Sequence, residues 1–353
     1  MIAILLLAFG CPDSIESIEP FITNVMGGRK PSPNQLQKIK DRYQAIGGHS
    51  PLLDITKRQA EALERILKSQ ILNPKSQIRV FVGMRYWHPF IKDTLKEILN
   101  LKAERIVVLV MAPHYSKLST GNYIKAVNEA MAEITPLFPP LEKGGEGGFD
   151  ISFINNWHTH PLFLKAVAER IKEGISYFSP LISSPRWGEG EGEGVQVIFS
   201  AHSLPVPPSP PLTSPSPPSE GGDRGEVKKG GKGGLEDDPY AKQLNETIQG
   251  VLRHTGDITW HLGFQSKGMS PGEWLGPTVD SILERLSKEG KKYILIVPVG
   301  FVSDNIETLY DIDIVYKEKA ESLGLIFYRT ESLNDSPKFI ESLSAIVREH
   351  FSN

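Results

Sequence analysis

The sequence predicts an α/β protein with parallel sheets, and two observations carry this prediction. Short, continuous apolar runs recur along the 353 residues, and each is followed by a turn and a stretch with helical periodicity. Strands that are covered by helices on both faces need such runs, because neither face meets water. The alternation of strands and helices implies right-handed crossovers between parallel strands.

Six apolar runs mark the predicted strands, at residues 2–9, 78–82, 106–111, 195–199, 258–262 and 293–299. The first run has no positively charged segment before it and no small-residue cleavage site after it. It is also too short to span a bilayer. We therefore interpret it as a buried strand and expect a cytoplasmic protein.

The stretches between these runs carry the apolar stripe of helices that pack on a sheet. Apolar side chains three and four positions apart share one side of each predicted helix. They are Ala60, Leu63, Ile66 and Leu67, then Val279, Ile282, Leu283 and Leu286, and finally Phe339, Ile340, Leu343, Ile346 and Val347.

Composition excludes several classes of function. Hydrophobic residues make up 39% and charged residues 23%, which is typical of a globular protein. The formal charge of -3 offers no basic surface for nucleic acid. Cys11 is the single cysteine, so no intrachain disulfide, four-thiolate zinc site or iron–sulfur cluster can form from this chain.

Three segments rich in Pro, Gly, Ser and charge interrupt the pattern, at residues 137–149, 183–194 and 206–238. They have too few apolar residues to offset the entropy of ordering, so we expect loops. About 300 residues remain without them, enough for two α/β halves. We predict an N-terminal domain at 1–158 and a C-terminal domain at 159–353.

The first chemical motif is VQVIFSAHSLP, residues 195–205. A buried strand ends there and delivers His202 beyond the carboxyl edge of a sheet, where open α/β folds bind ligands. An imidazole can accept a proton or bind a metal near neutral pH. A histidine that only hydrogen-bonds its own loop is the alternative.

The second motif is YILIVPVGFVSDNIETLYDID, residues 293–313. A strand ends in a glycine turn, and Ser303 or Asp304 is predicted to cap a helix that carries Glu307 and Asp311. The spacing of four puts both carboxylates on one helical face, where they suit a hydrated divalent cation. A solvated acidic face is the alternative. Together, a base and a column of carboxylates favour metal transfer more than either motif alone.

Longer motifs resemble ferrochelatases in order and spacing. They are LLLAFGCPDSIESIEPFI, GRKPSP, DRYQAIGGHSPL, MAPHYS, FSAHSLP, DPYAKQLNETI, WHLGFQSKGMSPGEWLGP and PVGFVSDNIETLYDID. The resemblance covers nearly the whole chain outside the three insertions. It implies two similar doubly wound, Rossmann-like domains enclosing a porphyrin cleft. It also implies a metal-inserting lyase that places Fe²⁺ in protoporphyrin IX or coproporphyrin III during haem biosynthesis. Iron is then a substrate, and no cofactor is expected.

Carried over by position, the resemblance implies roles for nine residues. His202 resembles the active-site histidine that takes a proton or binds metal, Glu307 the carboxylate paired with it across the ring, and Asp311 the next acid. Positions that hold porphyrin propionates correspond to Arg42, Ser50 and Tyr123, and positions of the pocket wall to Arg85, Tyr86 and Trp274.

The chain departs from the family pattern at three positions. Asn305 stands where many members have a histidine, and it cannot accept a proton. Val315 stands where an acid often continues the column, so the metal route is shortened or uses Asp313. Phe9 replaces a tyrosine or methionine near the ring and cannot bind iron.

Two other functions also fit the sequence. A chelatase for another metal or tetrapyrrole, such as cobalt or sirohydrochlorin, would share the architecture, and a non-catalytic porphyrin or haem carrier would share the pocket. We expect structural roles for His158, His160 and His88. His114 is expected either to line the pocket or to pack in the core, and the sequence favours neither. Any membrane contact is expected to be peripheral, and the oligomeric state is open.

Overall fold

The computed structural model describes residues 1–70, 77–134, 150–182, 194–206, 238–267 and 272–352. The predicted insertions at 137–149, 183–194 and 206–238 lie outside these residues except at their margins. None of the described helices combines the length and apolar composition that crossing a bilayer requires.

The first half of the chain alternates strands and helices. Its elements are β1 (Ile2–Ala8), α1 (Ile18–Val25), α2 (Pro33–Ala45), α3 (Leu52–Gln70), β2 (Ile78–Met84), α4 (Ile91–Asn100), β3 (Arg105–Val110), α5 (Thr120–Ile134) and β4 (Asp150–Ile154).

The second half repeats the alternation, with one unusual helix. Its elements are α6 (Pro161–Phe178), β5 (Gln196–His202), α7 (Tyr240–Thr255), β6 (Thr259–Gln265), α8 (Val279–Lys288), β7 (Tyr293–Val297), a π-helix (Glu307–Tyr316), α9 (Lys317–Ser322), β8 (Ile326–Arg329) and α10 (Pro337–Ser352).

The strands form two four-stranded sheets with the same topology, β2-β1-β3-β4 and β6-β5-β7-β8. Every neighbouring pair is parallel. This confirms the predicted α/β fold with two similar doubly wound halves. All six predicted strands form, whereas β4 and β8 had no counterpart among the predicted runs.

A single apolar core joins the two sheets. Leu6 and Leu109 of the first sheet belong to the same buried cluster as Phe199 and Leu295 of the second, with Phe163 of α6 among them. Smaller clusters lie on the other faces of the two sheets. The predicted apolar stripes of α3, α8 and α10 are buried in these clusters.

The carboxyl ends of the central strands of the second sheet carry one of the candidate residues and a close turn. His202 is the last residue of β5, and Gly300 follows β7. A Cβ atom on Gly300 would lie 2.9 Å from Cα of Ala201, so only glycine lets this turn approach the strand end so closely. The turn after β7 is therefore held against the backbone that presents His202.

Candidate active site

A cavity of about 470 Å³ lies between the two halves. Its walls come from residues that follow β1 and β3 on one side, and from the end of β5 and the turn after β7 on the other. This is the edge at which open parallel sheets bind ligands. His202 and Glu307, which the sequence analysis expects to share a cleft, both line this cavity.

His202 and Glu307 are in direct contact. Nδ1 of His202 lies 3.1 Å from Oε2 of Glu307, and 36% and 28% of the two side chains remain exposed. No flat ring fits between two groups at hydrogen-bond distance. The two groups therefore lie on the same side of the cavity, and not on opposite faces of a ring as the resemblance implies.

The contact shifts the pKa values of both groups. Burial lowers the pKa of His202, but the carboxylates of Glu307 and Asp311 outweigh it, and the net pKa is raised. Burial raises the pKa of Glu307, but the charge and hydrogen bond of His202 outweigh it, and the net pKa is lowered. Each partner thus stabilises the charged form of the other.

The helix that carries Glu307 differs from the prediction in type and in its cap. It is a π-helix, a rare form that is frequent at functional sites. Oδ1 of Asn305 accepts hydrogen bonds from the backbone nitrogens of Glu307 and Thr308, at 2.8 and 3.4 Å. Neither predicted cap makes these contacts: the Ser303 hydroxyl accepts a hydrogen bond from Gln59.

Asp304, the other predicted cap, belongs to a separate polar cluster. Its carboxylate accepts hydrogen bonds from Arg329, Ser332 and Asn334. Arg329 also donates to Asp313: its Nε lies 2.6 Å from Oδ1 and its Nη2 lies 2.8 Å from Oδ2. Asp313 therefore forms an ion pair with Arg329 and does not line the cavity. Nothing in this arrangement supports its predicted alternative role as a metal ligand.

Asp311 is held by two groups. Nη2 of Arg42 lies 2.5 Å from Oδ1, and the Ser266 hydroxyl donates to Oδ2 at 2.6 Å. Burial is the largest influence on Asp311 and raises its pKa, although Arg42 acts in the opposite direction. Val315, one position further along the predicted column, is 38% exposed and adds no ligand.

The predicted substrate-binding residues divide into two groups. Arg42, Ser50, Arg85 and Tyr123 line the cavity. Tyr86 lines a neighbouring groove instead, and its ring packs 4.7 Å from that of Phe9, itself in the cavity wall.

Trp274 is the other predicted residue outside the cavity lining. It forms an isolated bridge with Pro205, three residues after His202 in the chain. Trp274 thus pairs with the segment that follows His202.

His114 lines the cavity and is almost fully buried. Its Nε2 lies 2.9 Å from the Thr247 hydroxyl, which donates to the backbone oxygen of His158. Because that hydroxyl uses its proton there, Nε2 must donate and Nδ1 is the bare nitrogen. Nδ1 is buried without a hydrogen-bond partner among the described residues. Burial lowers the pKa of His114 to about 3, so the ring is neutral.

His158 and His160, two positions apart in the chain, do not form a shared metal site. His158 pairs with Glu246 at 2.7 Å, whereas His160 contacts Glu349 at 3.4 Å. No cluster of three metal-binding side chains occurs within the described ranges. His88 packs between the rings of Trp87 and Phe90, as a structural role predicts.

Tyr240 is a cavity residue that the sequence analysis missed. Its hydroxyl donates to the backbone oxygen of His202 at 3.1 Å, and its ring meets that of His114 edge-on. The DPY motif at 238–240, which opens α7, was the available signal.

Comparisons with known proteins show which family the chain belongs to. The ferrochelatase family model matches residues 1–351. A ferrochelatase of Herpetosiphon aurantiacus is 36% identical, over 98% of this chain and 97% of the relative. A coproporphyrin III ferrochelatase of Oceanobacillus iheyensis is 34% identical, over 98% of this chain and 96% of the relative.

A solved structure shows the same fold. The sirohydrochlorin chelatase SirB from Bacillus subtilis subspecies spizizenii, in complex with cobalt, superposes with a TM-score of 0.51 at 12% identity, over 100% of this chain and 96% of that one. Identity this low supports the fold alone. The family match and the full-length relatives decide the identity: the chain belongs to the ferrochelatase family, enzymes that insert iron into porphyrins.

Proposed function

We propose that this enzyme inserts Fe²⁺ into coproporphyrin III or protoporphyrin IX in haem biosynthesis, with His202 and Glu307 as its catalytic pair. The observation that carries the proposal is the direct contact of these two side chains in the wall of an apolar cavity. A carrier needs the cavity but has no use for a base that is oriented by a carboxylate.

Insertion exchanges Fe²⁺ for the two protons of the free porphyrin, so the site must accept protons and strip water from the metal. Nδ1 of His202 is engaged by Glu307, which leaves Nε2 as the nitrogen that takes a pyrrole proton. Glu307 fixes the ring and stabilises the imidazolium that forms, as carboxylates do beside general-base histidines. Asp311, the next acid on the π-helix, does not line the cavity, and Arg42 and Ser266 hold its carboxylate. Its proposed part in the metal route is as an oxygen ligand behind Glu307.

Iron enters this scheme as a substrate and not as a resident cofactor. With Cys11 as its only cysteine, the chain supports a reaction without an iron–sulfur cluster. We place the enzyme in the cytoplasm on the evidence of its sequence, with peripheral membrane contact to collect an apolar ring.

Two alternatives remain as outcomes of an experiment. The shared fold of the sirohydrochlorin chelatase favours another tetrapyrrole or metal only weakly, at 12% identity. A porphyrin or haem carrier would keep the cavity and lose the chemistry. The ferrochelatase relatives, at 34–36% identity, favour iron and porphyrin.

The test follows absorbance when Fe²⁺ is added without oxygen to the protein and each porphyrin. Wild type should metallate rapidly, and His202→Ala and Glu307→Gln should each lose at least about a hundredfold in rate. Glu246→Gln is the matched control, because Glu246 also pairs with a histidine but does not line the cavity. Tight porphyrin binding without metallation would indicate a carrier, and faster cobalt insertion into sirohydrochlorin would indicate another chelatase.

A further inference from the structure

Two buried histidines lie side by side at the carboxyl edge of the first sheet. His114 follows β3, and His158 follows β4, which is the neighbour of β3 in the sheet. A hydrogen bond of 3.1 Å from the backbone nitrogen of Trp157 to the backbone oxygen of Pro113 joins the two loops directly before them. The centroids of the two imidazole rings are 6.0 Å apart, and both residues are more than nine-tenths buried.

One nitrogen of each ring is fixed by a side chain of α7. Nε2 of His114 donates to the Thr247 hydroxyl at 2.9 Å. Nε2 of His158 lies 2.7 Å from Oε2 of Glu246. Because a carboxylate can only accept, the proton of the neutral His158 ring stays on Nε2. The free lone pair of each ring is therefore on Nδ1.

Both Nδ1 atoms are buried and have no hydrogen-bond partner among the described residues. Unpaired buried acceptors are unfavourable, so the two rings favour a ligand that accepts lone pairs. Transition-metal ions such as Zn²⁺, Co²⁺ and Fe²⁺ bind imidazole, whereas Mg²⁺ and Ca²⁺ prefer oxygen. Two imidazoles that share one Zn²⁺, at about 2.0–2.1 Å for each bond, have ring centroids about 5–6 Å apart. The observed separation fits such an ion.

We propose that His114 and His158 form a second metal site, separate from the catalytic pair, that binds a divalent transition-metal ion through their Nδ1 atoms. Histidines that bind metal commonly donate their other N–H to an oxygen, as these two already do to Thr247 and Glu246. Glu246 also supplies negative charge behind the site.

Water completes the coordination of the ion in this site. Within the described part of the chain, no third His, Cys, Asp or Glu joins the two histidines in a metal-binding cluster. His114 lines the cavity, so water and the ion can enter from there. The inference is independent of the proposed function, because neither histidine belongs to the catalytic pair.

The test titrates Zn²⁺ into the protein by calorimetry, without porphyrin. His202→Ala is the starting protein, because it removes the catalytic imidazole as a competing ligand. Adding His158→Gln should weaken Zn²⁺ binding at least about tenfold. The glutamine amide can still donate to Glu246, so this substitution removes Nδ1 and keeps the other contact. His114→Gln should have the same effect, and it replaces His158→Gln if that variant does not fold.

His160→Gln is the matched control. Nδ1 of His160 is also buried without a partner among the described residues, but its Nε2 faces Glu349 and not α7. Its substitution should leave Zn²⁺ binding unchanged. Glu246→Gln keeps both imidazoles and should weaken Zn²⁺ about tenfold, since it removes the carboxylate behind the site.

Nitrogen NMR of wild type with labelled histidine identifies the binding atoms directly. Zn²⁺ should shift the Nδ1 signals of His114 and His158 and leave that of His160 in place. Two results would overturn the inference: Nδ1 signals that do not move, or equal Zn²⁺ affinity with and without the two imidazoles. Buried water would then be the partner of both nitrogens.

Discussion

The guanidinium of Arg42 in α2 lies 2.5 Å from the carboxylate of Asp311 in the π-helix, although 269 positions separate them in the chain. One residue belongs to the first half and the other to the second. The pair therefore ties the helix that carries Glu307 to the opposite wall of the cavity.

Loss of Arg42 should weaken this tie. In Arg42→Gln the pKa of Asp311 rises further, because Arg42 is the largest influence that lowers it. We expect the free energy of unfolding to fall by about 1 kcal/mol, since about a third of the arginine side chain is exposed. A double-mutant cycle with Asp311→Asn, followed by guanidinium chloride unfolding, measures the coupling. If the two substitutions change the free energy of unfolding by amounts that simply add in the double variant, the two side chains do not interact directly.

The pKa of His202 should lie above its usual value of about 6.5 in wild type and fall in Glu307→Gln. A raised histidine pKa stabilises the fold below the unfolded-state value, and this stabilisation is lost as pH rises through the folded-state value. For Glu307, whose pKa is lowered, stabilisation is present above the unfolded-state value and lost as pH falls through the folded-state value.

Two measurements check this pair. Titration by NMR of both proteins follows the imidazole directly, and the same pKa in wild type and Glu307→Gln would argue against the pairing. Because the free base takes the pyrrole proton, the metallation rate of wild type should rise as pH increases through the raised pKa of His202.

Asn305 should matter for its cap and not for proton transfer. Asn305→Ala removes the acceptor for the backbone nitrogens of Glu307 and Thr308 and should cost about 1 kcal/mol of stability, with a lower kcat as Glu307 loses its position. Asn305→Ser keeps a side-chain oxygen that can accept a hydrogen bond, so it should retain most of the stability and most of the kcat. If Ala and Ser behave alike in thermal unfolding and turnover, the side chain is not a cap.

His114 should remain neutral throughout the working range. Its pKa of about 3 and the donation from Nε2 to Thr247 predict one tautomer with no titration between pH 5 and 8. Nitrogen chemical shifts of labelled histidine check this, and Thr247→Val should change the tautomer balance. A titration near pH 6.5 would contradict the buried, neutral ring.

The fold class could be predicted because the central strands β1, β3, β5 and β7 are buried on both faces. β4 and β8 escaped the prediction because they are short, at 5 and 4 residues, and partly exposed: the residues of β8 are all half-buried, and β4 begins exposed. The other two edge strands, β2 and β6, are 7 residues long and were predicted. A short, partly exposed edge strand gives no continuous apolar run, so periodicity alone could not find it.

Several residues of the cavity lining could be predicted from the sequence, whereas the contacts between them could not. His202 at a strand end and Glu307 on the following helix could be found from local pattern, yet their contact depends on packing between distant segments. The pairing of Arg42 with Asp311 is likewise a product of the tertiary fold. For that reason resemblance assigned both residues to ligands without revealing that they bind each other.

The core that joins the two sheets restricts how this family can recombine. Leu6 and Leu109 from the first half interlock with Phe199 and Leu295 from the second around Phe163. Such packing tolerates few changes of shape on one side alone. A chimera that joins residues 1–158 to the second half of a relative would bring together two core surfaces that diverged separately. It should lose stability although every cavity residue is kept, so the halves, however alike in topology, are not exchangeable modules.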